Sequence, residues 1–228
     1  MKKPIVLAVI AAFLLAGFII VSHFSSVKAG GTIQFGEYDW CVLGVRDGKA
    51  LIITKNIIEQ RPYDEVYAIA IWETCTLREY LNGEFLQKFT TSERERIEET
   101  RVSSPDNLWF GTNGGNDTTD KIFLLSLEEV DKYFGNSGDY QNKRRKDFEG
   151  QYPNDKWVAA DEGPAFSNAN DRKRKAKPND QATWWWLLSP GNNNYSAASV
   201  NYDGSVDVAG IFVGHSLGGV RPALWLKL

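Results

Sequence analysis

Residues Gly214-His215-Ser216-Leu217-Gly218 spell G-x-S-x-G, the pattern that lifts a serine nucleophile onto a sharp strand-to-helix turn in serine hydrolases. Acyl transfer by Ser216 needs a histidine that takes its proton and a carboxylate that orients the histidine. Twelve residues follow Ser216, and none is His, Asp or Glu. His215 is its immediate neighbour, His23 lies in an N-terminal apolar segment, and no room remains for the helix after the elbow. The motif therefore predicts no hydrolase, and no catalytic residue is assigned.

A second constellation, Asn113, Asn116, Asp117 and Asp120, offers oxygen ligands of the kind hard cations take. Its spacing fits no defined calcium loop, and turn-forming residues ahead of the apolar run Ile122-Phe123-Leu124-Leu125 account for it. Two His and two Cys, widely dispersed, make no transition-metal cluster. No metal and no cofactor are expected. Asn116-Asp117-Thr118 is a glycosylation sequon only in a host that uses one.

The elements that would carry these residues follow from composition and pattern. The 228 residues hold 43% hydrophobic and 24% charged side chains, as an ordinary globular domain does. A net charge of −3 gives no electrostatic case for nucleic acid. Eight Trp and nine Tyr supply core area or a rigid contact surface. Lys2 and Lys3 precede 18 uncharged residues from Pro4 to Val21, longer than a usual secretory core and shorter than a usual membrane span. Cleavage after Ala29 or retention as an anchor both remain open, and both place residues 30–228 outside the cell. Membrane contact is then expected only through this segment. Outside the cell, Cys41 and Cys75 either form a disulfide or sit as two buried thiols.

Residues 33–55 predict a hairpin turning at Asp47-Gly48. Three short helices are expected, opened by capping boxes at Thr76 with Glu79, Ser92 with Glu95 and Ser126 with Glu129. Leu77, Leu81, Phe85 and Phe89 form one buried stripe, and Asn82-Gly83 should kink or end that helix. Ile122–Leu125 reads as a buried strand. Residues 135–182 read as a polar insertion whose basic clusters, Lys143 to Lys146 and Arg172 to Lys175, face solvent. Trp184 to Leu188, a second hairpin turning at Asp203-Gly204 and a final strand from Val220 to Leu226 complete a single α+β domain. Its first and last strands could pair and bring the termini close together.

Four separate motifs carry a resemblance: Trp72 to Asn82 (WETCTLREYLN), Gly114 to Ser126 (GGNDTTDKIFLLS), Trp184 to Gly191 (WWWLLSPG) and Gly219 to Trp225 (GVRPALW). In this order they resemble the bacterial domain-of-unknown-function 6273 family over about residues 33–228, most of 135–182 excepted. Leu188 departs from the family, which has Arg there, and the insertion replaces the segment before the tryptophans. The resemblance implies a C-type-lectin-like fold of short helices packed on antiparallel β-hairpins. It also implies kinship with variable proteins of diversity-generating retroelements, whose last codons are rewritten at adenines. Formylglycine-generating oxidases share that architecture, but nothing around Cys41 and Cys75 is similar to their active-site cysteine pair, and fold kinship does not carry activity.

Codons derived from AAC or AAT by changing adenines never encode Lys, Glu, Gln, Met or Trp, and the 27 residues from Asn192 to Gly218 contain none of the five. Fourteen of them are Asn, Ser, Gly or Tyr, the mixture of antibody-like contact loops. Ala197, Ala198, Val200, Asp203, Gly204, Ser205, Val206, Gly210 and Val213 resemble the family's fixed frame. The positions between them are the expected ligand contacts: Asn192, Asn193, Asn194, Tyr195, Ser196, Ser199, Asn201, Tyr202, Asp207, Ile211, Phe212, His215, Ser216 and Leu217. The expected function is binding of a protein or carbohydrate ligand, without chemistry, at the cell surface or after secretion. A cell-envelope adhesion or structural domain of fixed specificity is the alternative.

Overall fold

A computed structural model of the chain describes residues 27–66, 69, 71–134, 165–166, 170–178 and 181–228. None of the helices among them is long and apolar enough to cross a membrane. The apolar run Pro4–Val21 and the basic cluster Lys143–Lys146 lie outside the described residues.

The described chain is mixed α+β, with two main sheets that are mostly antiparallel. The first takes the order β1-β2-β3-β12, from β1 (Thr32–Phe35), β2 (Tyr38–Arg46), β3 (Lys49–Thr54) and β12 (Ala223–Lys227). Asp47 and Gly48 both take positive φ, 49° and 70°, the mirror-image turn whose twist matches paired strands. The expected hairpin therefore forms, and the last strand adds to it in the register Trp225↔Leu51. The first and last strands do not pair. A strand not foreseen, β1, holds one edge, and β2 and β3 separate it from β12.

The second sheet has the order β4-β11-β8-β9-β10-β7. Its strands are β4 (Glu59–Gln60), β7 (Ala165–Phe166), β8 (Trp185–Pro190), β9 (Ser196–Val200), β10 (Val206–Phe212) and β11 (Gly219–Val220). Only β11 with β8 runs parallel among its described pairs. The expected final strand is in fact two, β11 and β12, broken at Arg221-Pro222. Proline has no N–H for a ladder, and at this break the chain leaves one sheet for the other. A short ribbon pairs β5 (Thr100–Val102) with β6 (Thr118–Asp120).

Ile122 to Leu125 are buried as expected but form no regular strand. The segment bridges the sheets instead. Phe123 exchanges backbone bonds with Ala223 of one sheet, and the Leu125 carbonyl accepts from Leu188 N–H of the other. Ile122 and Phe123 thus place both backbone groups in hydrogen bonds without a ladder.

Two of the three helices depart from the expected caps. Helix α1 (Thr76–Tyr80) has no capping box: the Thr76 hydroxyl accepts from Glu65 N–H, while Asp64 Oδ1 accepts from Thr76 N–H. Helix α2 (Thr91–Arg96) does start with a box, but between Thr90 and Glu93, two residues earlier than the spacing at Ser92 suggested. Helix α3 (Leu127–Phe134) carries the Ser126–Glu129 box as expected. The stripe of Leu77, Leu81, Phe85 and Phe89 is buried. At Asn82-Gly83 the helix widens into a π-turn over Leu81–Phe85. Asn82 braces it: Nδ2 donates to the Arg78 and Ile122 carbonyls, and Oδ1 accepts from Lys121 and Ile122 N–H.

Parts of the expected insertion, β7 and residues 170–178, pack against the frame. Arg174, read as part of a solvated basic cluster, lies in helix α4 (Asp171–Arg174) and is fully buried. Its guanidinium donates to the carbonyls of Gly204 and Phe134 and pairs with Asp171. The other buried arginine, Arg221, donates to the carbonyls of Thr54, Arg174 and Lys55. Burial pushes its pKa down to about 10, and Cys41 beside it opposes that shift.

Candidate binding surface

Two loops of the C-terminal segment meet at one end of the β9–β10 hairpin. Val213 N–H donates to the Tyr195 carbonyl at 2.9 Å, so residues 192–195 and 212–217 lie side by side. Each loop is braced internally. Asn193 Oδ1 accepts from Tyr195 N–H, and His215 Nδ1 accepts from Leu217 N–H. Asn193, Tyr195, Gly214, His215, Ser216 and Leu217 are exposed, with Tyr195 at 49% and Leu217 at 55%. Asn192 and Asn194 are half-buried.

What lies underneath is rigid. Trp185 and Trp186 are buried in β8. Gly218 fits against Trp186 so closely that a Cβ there would stand 1.8 Å from its Nε1. Trp186 Nε1 donates to the Arg61 carbonyl, and Arg61 N–H donates to the Gly218 carbonyl. Asn107, fully buried, donates from Nδ2 to the carbonyls of Pro190, Gly191 and Val208, and its Oδ1 accepts from Trp109 N–H. That amide pins the places where β8 and β10 leave regular pairing, the bulges between Trp186 and Pro190 and between Asp207 and Ile211.

The structure does not bring all the expected contacts together. Asn201 and Tyr202 sit on the turn at the other end of the hairpin, where Tyr202 is 68% exposed. Five strand residues separate them from Tyr195, about 17 Å of β-strand. Ser196 and Ser199 are buried, and the Ser199 hydroxyl has no partner. Ser199 is wholly out of solvent and Ser196 is 9% exposed, so neither stands among the open contact positions. The cause is topological: β9 lies between β8 and β10 with both faces covered. Asp207 is half-buried mid-sheet, with its carboxyl pKa raised by desolvation and its Oδ1 on Gly210 N–H. Ile211 and Phe212 are half-buried and pack against the core instead of standing out as anchors.

Three neighbours were missed in the sequence. Trp184 is half-buried and meets His215 edge-on, ring centroids 5.3 Å apart. Gln60 Nε2 donates to the Leu217 carbonyl at 3.0 Å, across 157 residues of sequence. Tyr63 and Asp64 N–H both donate to the Val213 carbonyl, and Val66 and Ile69 are exposed. Trp184 was visible in the tryptophan run; no local signal marked Gln60, Tyr63 or Asp64.

The sequences that suggested chemistry are built otherwise. Residues 214–217 make an exposed turn with no helix after it, and no hydrogen bond joins Ser216 to His215 among the described residues. Asp120 is buried and takes bonds from Trp72 Nε1, Arg78 Nε and Thr118 Oγ1. Asp117 holds Arg101 and Ser104 N–H, and Asn116 holds Glu73. These oxygens are used by the protein itself, and no group of three or more His, Cys, Asp or Glu converges among the described residues. Cys41 and Cys75 are free thiols. Leu188, the departure from the family's Arg, is core, and its carbonyl accepts from Tyr63 Oη at 2.9 Å.

Two sheets locked by buried Asn and Arg side chains carry polar and aromatic loops at one end. Residues 47–228 match the model of a domain of unknown function, DUF6273, and the chain belongs to that family. No curated protein and no solved structure matches it.

Proposed function

We propose that this chain is an exported, non-catalytic binding protein with a C-type-lectin-like domain whose ligand surface is the pair of loops 192–195 and 212–217. One observation carries the reading. The exposed loop residues Asn193, Tyr195, His215, Ser216 and Leu217 stand on a base fixed by Gly218, Trp186 and Asn107. Tyr offers contact area with little entropy to lose, and Asn and Ser offer adaptable hydrogen bonds. The ligand is a protein or a carbohydrate. The absence of Lys, Glu, Gln, Met and Trp from residues 192–218 supports diversification of this surface by adenine-directed mutagenesis.

Burial of Ser196 and Ser199 favours a second reading, a cell-envelope adhesion domain of fixed specificity. An Asn-type codon rewritten to Tyr or His at Ser199 would force a large side chain into a packed sheet. Sequencing the genomic region of several isolates separates the two. A near-identical repeat differing at adenines, with substitutions at the exposed positions, establishes diversification. An invariant 192–218 with no repeat leaves the fixed-specificity domain.

A further inference from the structure

On the first sheet, a cavity of about 260 Å³ lies where the β2–β3 turn meets the segment that joins α2 to β5. Three basic residues cross the sheet beside it in direct register: Arg46 faces Lys49, and Lys49 faces Lys227. Like charges set opposite one another destabilise paired strands unless an anion offsets them. For the two lysines that anion is Glu98, which takes their ammonium groups at 2.5 and 3.2 Å; these bonds lower its carboxyl pKa. Arg46 has no such partner. Among the described residues its guanidinium makes no hydrogen bond or ion pair.

Arg46 is held by an aromatic platform instead. Its Cζ lies 4.4 Å from the ring centroid of Trp225. A guanidinium stacked on an aromatic face keeps its N–H edge open for a planar acceptor. Trp225 itself is 8% exposed, and its Nε1–H also makes no hydrogen bond among the described residues. An indole N–H so deeply buried ordinarily finds an acceptor. Unlike the Thr54 and Ser199 hydroxyls, this one is not shut off from solvent, so a ligand can reach it. Both unmatched donors belong to residues that line the cavity.

We propose that this cavity is a second ligand site, for a small hydroxylated carboxylate whose carboxylate is shared between the Arg46 guanidinium edge and the Trp225 N–H. A carboxylate offers two coplanar oxygens, which the guanidinium fork matches, with lone pairs left for the indole. A single negative charge fits best, because Asp47, Glu98 and Glu99 also line the cavity and would repel a dianion. Asp47 and Glu99 are exposed, and among the described residues their carboxylates bond nothing, so they are open to ligand hydroxyls. The volume suits one small ring. The site stands independently of the loop surface, which belongs to the other sheet.

Calorimetric titration of the whole chain with glucuronate tests it, with glucose as the neutral ring and sulfate as a dianion without one. Glucuronate should bind roughly tenfold or more tightly than either control. Arg46→Gln should weaken it severalfold, and the side chain is exposed, so the fold survives the change. Trp225→Phe, which keeps a ring and loses the N–H, should also weaken it severalfold. Lys227→Gln removes a charge from the same row but not from the cavity lining, and should weaken it less than Arg46→Gln does. The proposal is overturned by no binding of glucuronate or by equal affinity for either control. Affinity unchanged in Arg46→Gln or Trp225→Phe, or an equal loss in Lys227→Gln, overturns it as well.

Discussion

Arg174 donates from Nε to the carbonyl of Gly204 at 2.6 Å, and so fastens the turn of the β9–β10 hairpin to a helix 30 residues earlier in the chain. Gly204 has φ +92°, and a Cβ there would meet the Asp171 carbonyl oxygen at 2.0 Å. The turn needs glycine, and the arginine needs the turn. Arg174→Met should lower unfolding stability by about 3–5 kcal/mol, because Asp171 and two carbonyls lose a buried charged partner. Arg174→Lys, which keeps charge but not the planar fork, should recover only part of the loss. Urea titration of the two variants measures both.

Asn107→Ala should cost about 2–4 kcal/mol, since three carbonyls at the bulges lose their donor and the Trp109 N–H its acceptor. The loops above those bulges would then lose protection in hydrogen exchange before the first sheet does. Uniform loss of protection across both sheets would contradict a local role for this amide.

Gly218→Ala tests the base of the loop surface. Its methyl group would displace the Trp186 indole, with an overpacking cost of about 1–3 kcal/mol. By contrast, Tyr195→Ser and Leu217→Ser should change stability by no more than about 0.5 kcal/mol, both being exposed. Thermal melts rank the three, and the two surface variants then serve for binding assays.

Asp207 sets a pH dependence. Desolvation raises its folded pKa above the unfolded value, so the folded state binds the proton more tightly and stability falls as pH rises through that window. Asp207→Asn removes the ionisation and keeps an oxygen for Gly210 N–H. The variant should melt higher than the parent near pH 7, and the gain should vanish below about pH 4, where the carboxyl is protonated in both states. Melting curves across that range give the sign directly.

Cys75 should be inert in the folded protein. Burial pushes its thiol pKa up to about 12, and the Sγ donates to the Trp72 carbonyl at 3.5 Å. A thiol-specific disulfide reagent at pH 8 should leave Cys75 unlabelled until the chain is unfolded in urea. Rapid labelling of Cys75 under native conditions would show that the site opens locally.

The parts of the fold that sequence disclosed are those set by neighbours in the chain. Asp47-Gly48 and Asp203-Gly204 marked both hairpins, because the turns need backbone conformations that few residues take. Ser126 and Glu129 marked a helix start for the same local reason. At α2 the sequence pointed to Ser92 with Glu95, and the box in the structure is Thr90 with Glu93. With that earlier start, the helix ends in time for Ile97 to bridge Leu226. That choice is tertiary. Arg174 sat in a run of like charges, which ordinarily means a solvated face, and only the Gly204 carbonyl explains its burial. Of the expected contact surface, the half at 192–195 and 212–217 came together. Ser199 could not be recognised as frame, since alternation along β9 is lost once both faces of a central strand are covered.

The Thr54 carbonyl takes its bond from Arg221, and the Leu217 carbonyl from Gln60, across 167 and 157 residues. Contacts so far apart in sequence form slowly, because a long loop must close before they repay its entropy. A ribosome delivers Gln60 well before Leu217 exists. The loops proposed to meet a ligand are thus the last to gain their footing, and the ends of the domain must find each other first. A truncated or misassembled chain would lack the proposed binding face altogether, so presentation of that face becomes a certificate of completed folding.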